Sequence, residues 1–351
     1  MNPRQEPLVS VVTPVYNGAK YLRECLESLV AQSYANWRCT LVNNCSTDDS
    51  LEIALHYASR DSRVTVHSNP QFLPIIDNLN RAYGLIDRDS SYCKPLMADD
   101  WLYPECIETM VSCALTQPSI GLVCCLASTG NNNTRFELRP ADSPVTSPTT
   151  VLSGRVAGRK ALLENRYFFG LPTTMLIRSD LIRRRTPFYD PVNLHADVQS
   201  CYDILRESDF AFVHQALAFM REHDQSQTSL LLGLDSDCAS NLYTLTRYGR
   251  AYLDEEEYRR CYRSRLERYY EMLAGAAVEL RGRAFWELHR AMLTHSGAPL
   301  NRVRLGYAIA AHVAHRLASP RSLVRSVARR IKAAMRKPPR HVKAPSQPPQ
   351  L

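Results

Sequence analysis

No run of the ~18 uncharged apolar residues that a membrane-crossing helix needs occurs anywhere in this sequence. The first residues, MNPRQEPLVSVVTPVYNG, carry no long apolar segment before a polar turn, so they give no sign of a secretory signal. None of the eleven cysteines forms a Cys-x-x-Cys pair, and no two pairs have zinc-site spacing. The adjacent Cys124 and Cys125 suit a buried strand. The whole set reads as small buried hydrophobes in a reducing compartment. No Gly-x-Gly-x-x-Gly follows the first apolar run, which disfavours a dinucleotide-binding dehydrogenase. Acidic residues are absent from residues 301–351, where twelve Lys and Arg lie. The chain is +8 overall, yet the part before residue 301 is −4. The basic character thus belongs to the tail, and a folded core built to bind nucleic acid is disfavoured.

What is present begins with LVSVVTPVYNG (Leu8 to Gly18), a near-continuous apolar run that ends in Pro, Asn and Gly. It reads as a buried parallel strand and a loop. A helix follows, with Leu22, Cys25, Leu26, Leu29 and Val30 on one face. WRCTLVNN reads as a second strand. TDDSLEIALHYASRD reads as a second helix, with Thr47 as candidate N-cap and Asp48 and Asp49 in the first turn. RVTVHSN, IIDNLNRAYGLID and YCKPLMADDWLYP continue as strand, helix and strand. This alternation predicts a doubly wound, mostly parallel sheet flanked by helices. Ligands bind such sheets beyond the carboxyl ends of the strands. Those ends carry Tyr16 and Asn17, Asn43 and Asn44, and Asp99 and Asp100.

Two adjacent carboxylates after an apolar strand repel one another unless a cation sits beside them. A hard divalent ion takes one or two carboxylates and completes its shell with phosphate oxygens and water. A solvated helix cap is the competing reading of Asp99 and Asp100.

The pieces VSVVTPVYNGAKYLRECLESLVAQSY, LVNNCSTDDS, KPLMADDWLYP, DVQSCYDIL and FMREHDQSQTS occur in that order over roughly residues 8 to 230. Together they resemble the family-2 glycosyltransferases, which have the GT-A fold. The resemblance implies an enzyme that moves a sugar from a nucleotide diphosphate sugar to an acceptor hydroxyl, with inversion. It implies that Pro14 and Tyr16 lie beside the nucleoside base. Asn44 stands where the family usually has a base-holding Asp. Asp100 would be the direct metal ligand, for Mg²⁺ or Mn²⁺, with Asp99 near the ribose or the metal. His223 matches a late His on the metal or diphosphate, and Arg221 beside it is a candidate phosphate contact. Asp197 matches the general base that an acceptor hydroxyl requires. Its alternative is a helix N-cap, and Asp203 is its local competitor. Many relatives have an Arg on the third helix where this chain has Leu79, before Asn80. That leaves Asn80 and Arg81 as the candidate nucleotide contacts of this helix. Pro172, Thr173 and Thr174 match the acceptor side, or form a plain turn.

The organisation predicted is a GT-A domain over 1–232, a helical, basic amphipathic C-terminal extension over 233–337, and a disordered Pro-rich tail over 338–351. The Asn- and Ser-rich stretch from Thr129 to Thr150 reads as a mobile loop. Basic amphipathic helices lie on anionic membrane surfaces, and relatives extend lipid-linked saccharides. The expectation is therefore a cytoplasmic enzyme, peripheral on the inner face of the membrane, in surface glycan synthesis, with a saccharide or lipid-linked saccharide as acceptor. The competing class is a nucleotide-sugar-binding protein of the same fold whose chemistry is impaired, motivated by Asn43, Asn44 and Leu79.

Overall fold

The structure, a computed structural model, describes residues 6–130, 136–137, 148–191, 195–221 and 234–318. The chain divides into two compact units: Met1–Gly233 with Tyr248–Tyr258, and Leu234–Arg247 with Arg259–Leu351.

The first unit opens with β1 (Val9–Val15), α1 (Ala19–Val30), β2 (Trp37–Asn43), α2 (Ser50–Ala58), β3 (Val64–Ser68), α3 (Ile75–Tyr83) and β4 (Tyr92–Pro95). It continues with β5 (Trp101–Leu102), α4 (Cys106–Ala114), β6 (Ile120–Gly130), β7 (Phe136–Glu137), β8 (Thr149–Leu152) and α5 (Gly154–Glu164). A 3-10 turn (Pro172–Thr174), β9 (Met175–Arg178), α6 (Ser179–Arg183), α7 (Ala196–Leu205) and β10 (Asp209–Arg221) follow. All but β7 and β8 lie on one path, in the order β3-β2-β1-β4-β9-β6-β10-β5.

The pairings β1–β2, β1–β4, β2–β3 and β6–β10 are parallel. The sheet is nonetheless mixed, because β9 runs antiparallel between β4 and β6. The strands are apolar on both faces because helices cover both. Val9, Val11, Val15, Leu41 and Cys39 enter one core with Leu22, Cys25, Leu26 and Leu29 of α1. Val30, expected on that buried face, is exposed.

Strand order reverses at β1, whose neighbours β2 and β4 follow it on opposite sides. A crevice opens at such a reversal, because the connections on either side leave toward opposite faces. The β1–β2 register pairs Val15 with Asn43, so the loops after both strands start side by side. β10 is long and irregular, with register shifts between Val213 and Ala218. These bulges bend it, and its end pairs antiparallel with the two-residue β5. Trp101 stacks on Phe219 there, with ring centroids 5.1 Å apart. That contact brings the end of β10 against the acidic turn between β4 and β5.

α2 begins at Ser50, with Asp49 rather than Thr47 at the cap position. Asp48 takes over the capping work, its Oδ1 accepting from the Ser50 N–H at 3.1 Å. Thr47 is occupied elsewhere, donating its N–H to Asn17 Oδ1 at 2.8 Å. The eleven cysteines are all free, and most are buried.

The helices α8 (Asp237–Tyr252), α9 (Glu255–Val278), α10 (Arg283–His295) and α11 (Arg302–Ala318) complete the described chain. Within the second unit, buried His289 ties α10 to Leu234 and to α9. Its Nε2–H donates to the Leu234 carbonyl at 3.0 Å, and the Tyr269 hydroxyl donates to its Nδ1 at 2.8 Å. Among the described residues, no helix is long and apolar enough to cross a membrane. Most of the expected mobile loop, and the chain from residue 319 onward with its Pro-rich tail, lie outside the described residues.

Candidate active site

Three strand ends meet at the reversal. After β1, Asn17 adopts a positive φ of 49°, a turn conformation that Asn tolerates. The β1 and β2 loops are laced together. The Gly18 N–H donates to Ser50 Oγ at 2.8 Å and the Ala19 N–H to Asp48 Oδ2 at 3.0 Å. A Cβ placed on Gly18 would stand 3.5 Å from the Cβ of Ala98. The Tyr16 loop therefore lies directly beside the acidic turn.

Pro14 is half-buried within β1, opposite Val42. Tyr16 is 52% exposed and Phe72 is 56% exposed. Their rings meet edge to face, with centroids 4.9 Å apart. Two solvent-facing aromatic planes at an angle make a corner that fits a flat heterocycle. Phe72 was not among the residues picked from the sequence. An isolated aromatic in the Pro-flanked stretch NPQFLP was the signal that could have found it.

Asn44 is buried, and its amide is spent on the chain. Its Nδ2–H donates to the Leu73 carbonyl at 2.9 Å, and its Oδ1 accepts from the Leu73 N–H and from Asn69 Nδ2, each at 2.9 Å. The side chain thus holds the loop that carries Phe72. Asn43 plays a similar local part, its Oδ1 accepting from the Ser46 N–H at 3.2 Å.

Asn80, expected beside the nucleotide, repeats the device. Its Nδ2–H donates to the Tyr189 carbonyl at 2.8 Å, and its Oδ1 accepts the Tyr189 N–H at 2.7 Å. Both heteroatoms of this amide are thus engaged with Tyr189. Arg81 is exposed on the last turn of α3. Leu79 is buried, and residues two apart on a helix point to different sides. Arg81 therefore does not take the direction of Leu79.

The acidic pair lies four residues beyond β4, in a turn rather than at the strand end itself. Asp100 is buried, and both its oxygens are held. The Thr173 hydroxyl donates to Oδ2 at 2.5 Å, and the Arg221 N–H donates to Oδ1 at 3.0 Å. Burial, and then the Asp99 charge, push the Asp100 carboxyl up to about 7, while the Thr173 and Arg221 bonds and the Lys94 charge pull it down. Asp99 is half-buried. A carboxylate has about four acceptor positions, so Asp100 keeps room for a cation beside its two bonds. Among the described residues, no three His, Cys, Asp or Glu converge on one point. Two carboxylates suffice where a diphosphate fills the shell, so the donor set fits Mg²⁺ or Mn²⁺. His223 lies outside the described residues.

The Arg221 guanidinium, a candidate phosphate contact, is engaged with the protein. It pairs with Glu24, donates through Nε to the Asp99 carbonyl at 3.1 Å, and lies 4.4 Å from the centroid of the Tyr21 ring. It braces the acidic turn from beneath.

Thr173 and Thr174, expected on the acceptor side, are both buried. The Thr173 hydroxyl serves Asp100 and also accepts from the Met97 N–H at 3.2 Å. The Thr174 hydroxyl closes the turn on Leu171, accepting from its N–H and donating to its carbonyl, each at 2.9 Å. Neither hydroxyl is open to an acceptor. Pro172 is half-buried at the start of the turn. Beneath this turn lies Lys94, 0% exposed. Its Nζ donates to the carbonyls of Thr173, of Met175 at 3.1 Å and of Pro95 at 3.5 Å. A lysine inside the apolar strand YCKPL was a legible signal that the sequence reading passed over.

Asp197 sits in the first turn of α7, with His195 at the cap position. It is therefore not the N-cap. It keeps partial solvent exposure. The protein packed around its carboxyl raises its pKa, against the opposing charge of His195 and the Val198 N–H. Tyr189, the residue gripped by Asn80, feels the Asp197 charge. The competitor Asp203 is taken, accepting from the Tyr248 hydroxyl at 2.6 Å.

Comparison with known proteins finds the same fold and a family. An uncharacterized glycosyltransferase of Rickettsia typhi is 27% identical over 228 residues, 64% of this chain and 67% of its own. The matched region spans between 14% and 67% of the length of the first curated relatives. S. aureus TarS 1–349, solved with UDP-GlcNAc, superposes with a TM-score of 0.61 at 16% identity, covering 87% of this chain and 88% of that one. Mannosyltransferase PcManGT from Pyrobaculum calidifontis, solved with GDP-Man and Mn²⁺, gives a TM-score of 0.51 at 17% identity, covering 95% and 87%. Such identities speak for the fold. The assignment itself comes from the sequence profile of glycosyl transferase family 2, which matches residues 10–185 and so takes in the Tyr16 loop, the Asn44 loop, the acidic turn and the Thr173 turn. The chain belongs to glycosyl transferase family 2.

Proposed function

We propose that this glycosyltransferase is an inverting, divalent-cation-dependent enzyme that transfers a sugar from a nucleoside diphosphate sugar to an acceptor hydroxyl. The observation that carries the reading is Asp100, buried beside the Tyr16 loop with each oxygen fixed by one protein donor. UDP-GlcNAc and GDP-Man in the structural neighbours support the donor class, and the Mn²⁺ of PcManGT supports the cation class.

The base would lie in the corner of Tyr16 and Phe72, with Pro14 behind it. Asn44 acts through the loop it grips. The diphosphate would lie over Asp99 and Asp100. A divalent cation held there would neutralise the charge that develops on the departing diphosphate. Asp197 would take the proton from the acceptor hydroxyl. That oxygen then bonds to the anomeric carbon as the bond to the diphosphate breaks on the opposite face, which inverts the centre. Burial makes Asp197 a stronger base than a solvated carboxylate. Asn80 would act by holding Tyr189, and Thr173 by orienting Asp100.

The setting we infer is surface glycan synthesis, with a saccharide or lipid-linked saccharide as acceptor. The basic stretch of residues 301–351 would bring the enzyme to an anionic membrane surface. Asn44, which suggested impaired chemistry, is accounted for by its pairing with Leu73, so it no longer favours a binding-only protein.

The test is a screen of UDP-, GDP- and dTDP-sugars with Mn²⁺ or Mg²⁺, reading nucleoside diphosphate release. Wild type should release it slowly from one donor. Asp100→Ala should lose cation-dependent binding. Asp197→Asn should keep donor binding and lose transfer by about 10²- to 10⁴-fold. No cation-dependent binding or release across the panel would overturn the reading.

A further inference from the structure

The helix Arg302–Ala318 turns one apolar stripe outward. None of its residues is buried. Tyr307 is 75% exposed and Leu317 is 70% exposed, and Val303, Ala310 and Ala314 are exposed as well. These five positions are spaced four, three, four and three residues apart. That spacing puts them in one stripe along a helix. The opposite side is the half-buried one, with Leu305, Ala308, Ile309, His312 and Arg316.

That inner side is where the helix meets the rest of its own unit. The Arg304 guanidinium lies 4.8 Å from the centroid of the Tyr270 ring, and Arg316 stands 3.9 Å from Glu279. The Tyr270 hydroxyl accepts the Asn301 N–H at 2.8 Å just before the helix begins. The outer stripe is therefore not left over from poor packing. The helix docks through Leu305, Ala308 and Ile309 together with these polar contacts, and presents a second apolar flank outward.

Charge decides the occupant. The helix contains no Asp or Glu, and residues 319–351 add nine Lys and Arg, again with no acid. Two copies packed through the stripe would bring together two stretches that each hold twelve Lys and Arg and no acid, a repulsion that nothing within those stretches offsets. An anionic bilayer complements both features at once: the interface takes the apolar stripe, and the headgroups take the basic residues. We infer that the Val303–Tyr307–Ala310–Ala314–Leu317 face is a membrane-docking surface that seats this enzyme on an anionic bilayer. The inference rests on the membrane association proposed above and assigns it a face. Charge alone would leave this stripe without a function.

The experiment uses the full chain and sedimentation with vesicles of phosphatidylglycerol and phosphatidylcholine, against phosphatidylcholine alone. The variant is Tyr307→Ser with Leu317→Ser, which removes apolar surface and keeps every charge. Both side chains are exposed, so thermal melting should match wild type, which the experiment checks. Wild type should partition onto the anionic vesicles, and the double variant should bind about tenfold more weakly. The residual binding of the variant should vanish at high salt. Equal binding by variant and wild type would overturn the face while leaving charge-driven association in place. No binding by wild type would overturn both. A wild-type dimer in light scattering that the double variant dissociates would overturn the proposal in favour of a second copy. Donor hydrolysis in solution should be the same for both proteins, so loss of docking and loss of glycosyl transfer stay separable.

Discussion

The Asn44 side chain pairs with Leu73 as one peptide pairs with another, giving a hydrogen to its carbonyl and taking one from its N–H, both at 2.9 Å. An amide does this and a carboxylate does not, because a carboxylate has no hydrogen to give. Asn44→Asp would set an oxygen against the Leu73 carbonyl. Its expected cost is about 1–3 kcal/mol, the cost of one buried hydrogen bond broken and left unpaired. Urea titration checks this. Unchanged stability in Asn44→Asp would remove the structural role, and a change in donor preference without a stability loss would return the residue to base recognition.

The same logic gives Asn80 a different readout. Its partner Tyr189 lies within reach of the Asp197 charge. Asn80→Leu should therefore lower kcat by about tenfold or more, since misplacing a reacting group by a fraction of an ångström is costly. Affinity for the nucleoside diphosphate should stay within about twofold of wild type, a shift too small to register as a lost hydrogen bond. Isothermal titration with the nucleotide and steady-state kinetics separate the two. A loss confined to nucleotide affinity would contradict the geometry.

Lys94 offers a stability test beneath the acidic turn. Lys94→Met keeps the length of the side chain and withdraws the donor from the carbonyls of Thr173, Met175 and Pro95. Buried carbonyls left without partners, and a buried carboxyl left without the Lys94 charge that acts on it, should cost about 3 kcal/mol. A melting temperature equal to that of wild type would show that the three carbonyls find other donors.

Asp100 sets a pH dependence. An acid whose pKa is raised by folding favours the folded state when protonated. Its contribution is present below the unfolded value, about 3.8, and is lost as the pH rises through about 7. In chelator, stability should therefore fall between roughly pH 4 and pH 7 by at most about 1.4 kcal/mol per unit from this group. Asp100→Asn should remove that slope. Mn²⁺ must displace the proton, so its affinity should climb with pH up to about 7 and level off above. A flat Mn²⁺ affinity across that window would contradict the raised carboxyl.

Much of the framework was legible. The order of strands and helices through β4 could be read because apolar spacing is local, and burial on both faces of a parallel sheet leaves a plain mark in LVSVV and CTLV. The acidic pair stood out for the same reason, as charge next to an apolar run. The antiparallel insertion of β9 was not legible, since a strand records its own burial and not the direction of its neighbour. Val30 and Thr47 failed at element ends, where one residue of drift changes the face or the cap.

The sequence by itself determined the order of the elements through β4, and that polar groups would gather beyond the strand ends. Only the tertiary structure decided which of those groups are free. Asn44 is committed to a residue 29 positions away, Thr173 to one 73 away, Asn80 to one 109 away, and the Arg221 guanidinium to one 122 away. A polar side chain at a site looks the same in the sequence whether it faces a ligand or a peptide. The difference is a hydrogen-bond partner brought in by the fold, and buried main-chain groups claim such partners first because leaving them unpaired costs more than any ligand contact forgone.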